Sequence, residues 1–295
     1  MVILPVVLRI CGIFARIWAF SFRNCPHLLV PDHIWSSAWQ GRPIREWVEN
    51  DLMPVYSDEA IVLRTHKLAE ADRIITLLTR DHGMVRAVAN GVRRTSSKFG
   101  SRLEPFTHVD LQLVMGRNLD RIKEAETRAP YGDRISGNYE RYAAASVMAE
   151  TAEKIVVEER QPARQQYLLL VGATRAMAVG EHRSTDILNS FLLRSLAVAG
   201  YAPSCAACAH CGEIGPHRWF NPAAGGALCS RCRIPGSASP AAETMTLLGA
   251  LLAGDWSVID AAEQRHRREA RGLVANYVTW HLDRGLRSLQ YVVES

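Results

Sequence analysis

The 295-residue sequence lacks the short signatures that mark common enzyme classes. It has no Gly-x-x-x-x-Gly-Lys-Ser/Thr phosphate loop, no His-Glu-x-x-His, no Gly-x-Ser-x-Gly elbow and no glycine-rich dinucleotide turn. Its carboxylates are scattered, without the compact cluster of a two-metal nuclease. These absences disfavour catalysis. The chain also lacks internal repeats and low-complexity linkers. Cysteine is scarce and odd in number, seven in all. Five of the seven fall between Cys205 and Cys232, whereas a secreted disulfide framework is short and spreads its cysteines. The N-terminal stretch MVILPVVLRICGIFARIWAFSF is apolar but interrupted by Arg9 and Arg16. A spanning helix needs about 20 apolar residues. A signal peptide needs positive charge ahead of its apolar run. Arg9 and Arg16 would share a helix face, which suits an interfacial segment. The simplest reading is that residues 1–52 form a poorly ordered extension outside the folded unit. No membrane association is expected of the rest.

What is present suits a globular protein. Hydrophobic residues make up 48% of the chain, enough to bury a sizeable core in about two domains. The formal net charge of +5 permits an anionic partner without demanding one. From Tyr56 to about Arg128 the pattern is short strands. EAIVLRT (59–65) is β-branched and reads as alternating. RIITLLT (73–79) and MVRAVANG (84–91) flank the turn signal Asp81-His82-Gly83 and predict a hairpin. THVDLQLVM (107–115) alternates, and LDRIKEAET (119–127) closes the set. Five strands in this length predict a small barrel, with an OB-fold leading and an SH3-like barrel as the alternative.

Beyond Pro130 the period becomes helical. Helices are expected over 139–159, 162–180, 184–200, 239–254 and 268–293, with Ser184 or Thr185 capping the third. The expected organisation is an α+β chain: residues 53–131 as an OB-fold barrel, and 132–295 as an α-helical domain with a cysteine-bearing insertion at 205–233.

Cys229-Ser-Arg-Cys232 supplies one pair of ligands for a tetrahedral metal site. The other pair is Cys205 with Cys208, or Cys208 with Cys211. Gly212 favours the latter, because a glycine there lets the chain reverse while backbone amides turn toward the sulfurs. Cys205 then remains a spare. A ferredoxin-like run would need a fourth cysteine where Gly215 stands. Four thiolates (Cys208, Cys211, Cys229, Cys232) close the coordination sphere, so the expected zinc is structural. His210 and His217 read as exposed loop residues.

The stretch from Met84 to Leu103 carries Arg86, Arg93, Arg94, Lys98 and Arg102 and no acidic residue. Serine, threonine and glycine among the cations add donors for phosphate, and Phe99 offers a ring on which a base could stack. This is a candidate nucleic-acid contact. A second basic run, RHRREAR (265–271), opens the last helix and reads as a solvated face.

Several of these residues carry a resemblance. Glu70-x-Asp72-Arg73, Gly91-Val92-Arg93-Arg94, Leu103-Glu104-Pro105-Phe106 and the Cys-x-x-Cys-Gly to Gly-Gly-x-x-Cys-x-x-Cys block resemble the bacterial recombination and repair protein RecO family, in an Ala- and Arg-rich actinobacterial style. The similarity runs from about Tyr56 nearly to the C-terminus. Residues 1–52 and Cys205 have no counterpart in it. The resemblance implies a cytoplasmic, nucleoid-associated protein that binds single- and double-stranded DNA and anneals complementary strands. It also implies partnership with RecR and single-strand DNA-binding protein, and indirectly with the recombinase RecA. A zinc-stabilised protein–protein adaptor that does not touch DNA is the competing expectation.

Overall fold

The computed structural model describes residues 54–282 and 286–293. The expected extension at 1–52 lies outside the described residues. Five strands come first: β1 (Val55–Lys67), β2 (Arg73–Thr79), β3 (Gly83–Ala89), β4 (His108–Val114) and β5 (Asp120–Ala129). They close into a barrel in the order β1-β2-β3-β5-β4. Only the β3–β5 pairing is parallel, with Ala87 opposite Asp120 and Val88 opposite Arg121. This is the OB-fold, and the SH3-like alternative is set aside.

β1 serves both halves of the barrel, pairing β4 through Val55–Ile61 and β2 through Ala60–Lys67. The register slips between Val62 and Arg64, which leaves Leu63 as a bulge that bends the strand. The alternation expected for this strand is not observed: Ala60, Ile61, Val62 and Leu63 are all buried. Ala60 and Val62 face the barrel interior with Ile75, Leu77 and Val85. Ile61 and Leu63, with Leu78, Met84 and Phe106, belong to the core of the helical domain. A continuous apolar run is what a strand covered on both faces requires.

The helical domain comprises α1 (Tyr131–Ser136), α2 (Tyr139–Ile155), α3 (Arg164–Val179), α4 (Ser184–Val198), α5 (Ala242–Ala253), α6 (Trp256–Ala261), α7 (Gln264–His281) and α8 (Gln290–Val293). α4 is buried on nearly every side and lies at the centre, packed by α2, α3, α5 and α7. Its N-cap is Arg183, not Ser184 or Thr185 as expected, and no side chain caps it. The helix expected over 139–159 stops at Ile155. The segment after it folds back on the barrel as a strap. The Arg160 amide donates to the Met84 carbonyl at 3.0 Å, and the Arg160 guanidinium reaches the buried Asp120 at 2.6 Å. Gly83 turns β2 into β3 at φ +65°, and a Cβ there would stand 1.8 Å from the Gln161 carbonyl oxygen, so turn and strap both require glycine. The single helix expected over 268–293 is instead α7, then a short 3-10 turn at Arg287–Leu289 leading into α8.

Between α4 and α5 the cysteine segment forms a two-stranded ribbon, β6 (Trp219–Asn221) and β7 (Gly226–Leu228). No helix of the described residues is long and apolar enough to cross a membrane.

Candidate nucleic-acid interface and metal centre

The basic segment links β3 to β4 and lies across one end of the barrel, because the hydrophobic residues within it plug that end. Val92, Phe99 and Leu103 are 9%, 1% and 1% exposed and join the barrel core. This corrects the expectation for Phe99: its ring is a plug and cannot stack on a base. The residues between the plugs are tied to neighbouring loops. The Gly91 amide donates to the Asp72 carboxylate at 2.7 Å. The Arg93 amide donates to the Ala71 carbonyl at 3.1 Å and its guanidinium to the Glu70 carbonyl at 2.9 Å. Arg73 pairs with Glu104 at 2.8 Å. Three of the sequence motifs that carry the family resemblance thus form one knot joining the β1–β2 and β3–β4 loops.

This bracing displays the cations. Arg93, Arg94, Lys98 and Arg102 are all exposed. Lys98 donates to the Lys123 carbonyl and Arg102 to the Lys98 carbonyl, each at 2.5 Å. None of the four forms an ion pair with a carboxylate among the described residues. Arg86 differs: it projects from β3 and pairs with Glu159 of the strap at 2.6 Å. Sequence reasoning missed Arg117, Arg121 and Lys123, which are exposed on β5 and the loop before it. The parallel β3–β5 closure sets Arg121 beside the end of β3, and Lys98 ties the basic loop to the Lys123 carbonyl, a closeness no local pattern encodes; Arg117 follows Gly116, whose carbonyl accepts from Arg160 of the strap. Elsewhere on the barrel, Asp58, Glu59, Asp81, Asp110, Glu124 and Glu126 line a concavity. The barrel is therefore charge-polarised, with the basic loop its cationic part.

In the cysteine segment, Sγ atoms of Cys208, Cys211, Cys229 and Cys232 all lie within 4.8 Å of one another. Cys211 and Cys229 sulfurs are 3.8 Å apart. A tetrahedron with metal–sulfur bonds near 2.3 Å has edges of about 3.8 Å, so the cradle has the dimensions of a four-thiolate site. Gly212 sits at φ +75°, and its amide donates to the Cys208 carbonyl at 2.9 Å, closing the first knuckle. The Cys232 amide closes the second on the Cys229 carbonyl at 3.2 Å. Backbone amides of Cys211 and Cys229, with that of His210, are aimed at the Cys208 sulfur and pull its pKa down to about 6. Burial, aided by the neighbouring sulfurs, pushes Cys232 up to about 12. Cys205 is outside the cluster. It packs against the helical core, and burial pushes it up to about 11. Of the two possible first pairs, Cys208 and Cys211 are the one gathered with Cys229 and Cys232. Glu213 and Arg231 bridge the two knuckles at 3.0 Å, and the Arg233 guanidinium lies 3.7 Å from the centre of the Trp219 ring.

Residues 53–131 match the family described as Recombination protein O N terminal, and residues 136–290 match Recombination protein O C terminal. The chain belongs to the RecO family. Over 241 residues it is 65% identical to the DNA repair protein RecO of a Nocardioides species, covering 81% of this chain and 99% of that one. The RecO of Streptomyces griseus is 59% identical over 246 residues and that of Thermobifida fusca 54% over 240, each with 81% and 99% coverage. RecO similarity thus spans both the barrel and the helical domain, and the four clustered cysteines lie within the C-terminal match.

Proposed function

We propose that this RecO-family chain is a non-enzymatic recombination mediator. It binds single- and double-stranded DNA, anneals complementary strands and, with RecR, assists loading of RecA onto strands covered by single-strand DNA-binding protein. The setting is the cytoplasm, at the nucleoid. Family membership supports the role. The observation that carries the DNA reading is four exposed cations, Arg93, Arg94, Lys98 and Arg102, on one braced loop with no carboxylate partner among the described residues. Phosphates laid along that loop would release counterions, and two strands on one cationic surface would repel each other less. Arg86 supports the contact when a phosphate displaces Glu159. The resident metal in this reading is zinc, structural in role. Its four sulfurs leave no open position for water, and it braces a glycine-rich ribbon with little apolar surface of its own.

The test is fluorescence anisotropy of labelled single strands of unrelated sequence across a salt series, with strand annealing followed in parallel. Single-strand binding loses about 0.7 in the log–log salt slope per phosphate contact. Arg93→Glu with Arg94→Glu should flatten the slope by at least about 1.4 and slow annealing. Wild-type affinity in that double variant would refute the assignment and favour the protein-adaptor reading.

A further inference from the structure

The basic run at the head of α7 is only partly a solvated face. Arg265 pairs with Glu263 at 3.0 Å. Arg267, Arg268 and Arg271 instead line a cavity of about 430 Å³ where the start of α2, the turn before α4 and the first turns of α7 meet. Arg141 and Arg183 complete a set of five arginines, against two carboxylates, Glu140 and Asp186. Arg267 and Asp186 neutralise each other: they pair in the buried floor, where Arg267 also donates to the Ala262, Ile259 and Asp260 carbonyls. Four arginines then face one carboxylate. Arg141, Arg268 and Arg271 have no carboxylate partner among the described residues, and Arg183 donates only to the Gln264 amide oxygen at 3.2 Å.

Two further observations point to a ligand. Asn189 is 5% exposed, lines the cavity and makes no side-chain hydrogen bond among the described residues. Its carboxamide has no protein partner to displace among those residues, so both its donor and its acceptor are free to bond what enters the cavity. The uncapped N-terminus of α4 also opens here, with Ser184 and Thr185 in the cavity wall, so amides without intrahelical acceptors add to the positive potential. The lining is polar throughout, with no aliphatic or carbocyclic aromatic side chain. The one ring, His182, is stacked on Trp256 at 4.0 Å and tied to Asp260 at 2.9 Å. A nucleobase finds no platform, and a peptide anchored by an apolar side chain finds no socket. Guanidinium forks and amide donors match a phosphate's oxygens.

We propose that this cavity is a phosphate-binding site of the helical domain, separate from the barrel loop and independent of the DNA reading given to that loop. The phosphate belongs either to a nucleic-acid strand or to a free phosphorylated small molecule.

The full chain is compared with Arg268→Gln/Arg271→Gln and with Asn189→Ala. Thermal unfolding is followed while inorganic phosphate replaces chloride at fixed ionic strength. A ligand held by the folded state alone raises Tm with concentration. The wild type should show this rise, the arginine variant should lose it, and Asn189→Ala should weaken it with no change of charge. Salt-dependent anisotropy with a labelled single strand then names the source. A slope reduced by about 1.4 in the arginine variant assigns the site to strand phosphates. An unchanged slope in that variant, with the phosphate response present in the wild type and lost in the variant, assigns it to a small molecule. No phosphate response in the wild type overturns the proposal, whatever the slope does, because a slope change alone reports lost charge and no site. A glutamate-rich peptide that stabilises the wild type at lower concentration than phosphate also overturns it.

Discussion

Replacing Phe99 with alanine separates two roles that the sequence leaves open for this ring. The side chain is 1% exposed and packs in the barrel interior beside Leu103, which is equally buried. Truncating a fully buried phenylalanine costs about 3–5 kcal/mol. For a folded unit of this size each kcal/mol lowers Tm by about 2–4 °C, so Phe99→Ala should unfold about 6–20 °C below the wild type. Phe99→Leu keeps most of the apolar volume and should cost less than about 1.5 kcal/mol. A ring that stacked on bases would behave otherwise. Its loss in either variant would remove about 1–3 kcal/mol of single-strand affinity, whatever happened to stability. The experiment is calorimetry or far-UV melting of both variants, with anisotropy on a labelled single strand below the melting transition. The expected result is an unstable Phe99→Ala and a Phe99→Leu that binds DNA as the wild type does. A Phe99→Ala melting within a degree of wild type, or a Phe99→Leu with tenfold weaker DNA binding, would refute the plug.

Other expectations follow from the same contacts. Glu159→Gln should free Arg86 and tighten DNA binding by less than about 1 kcal/mol, the range of a half-exposed ion pair, and the gain should vanish in Glu159→Gln/Arg86→Ala. Metal analysis should give one ion per chain for the wild type and for Cys205→Ser, and none for Cys208→Ser or Cys229→Ser; chelation should lower Tm in the first two only. His108 hydrogen-bonds Tyr167 at 2.8 Å across the barrel–helix contact, and burial, reinforced by Arg128, lowers its pKa despite Glu59 and Asp110 nearby. The unfolded chain therefore takes up this proton first, so the contribution is intact above about pH 6.5 and declines as pH falls below it. Urea titrations at stepped pH should show that decline, and His108→Asn should flatten it.

Much of the fold was legible because local chemistry and tertiary context agree. The Asp81-His82-Gly83 turn, the Gly180 stop of α3 and the two Cys-x-x-Cys knuckles each depend on a few adjacent residues, and each stands where the pattern puts it. The failures share a cause. β1 reads as half-buried only if one forgets that a second layer covers its outer face, and Ala60–Leu63 are buried from both sides. Phe99 looks like a platform in a basic loop because sequence does not reveal that the loop turns its apolar residues inward. Arg121 and Lys123 join the loop through a parallel pairing between strands far apart in the chain. The arginines of 265–271 look like a solvated face until α2 and the turn before α4 close over them.

The outward-facing residues of the barrel have a practical implication. Ile61, Leu63, Leu78, Met84 and Phe106 are interior only because helices lie against them. Cutting the chain after residue 131, where the first family match ends, would strip that cover and leave a greasy flank exposed to solvent. Such a fragment should clump rather than behave as a portable DNA-gripping module.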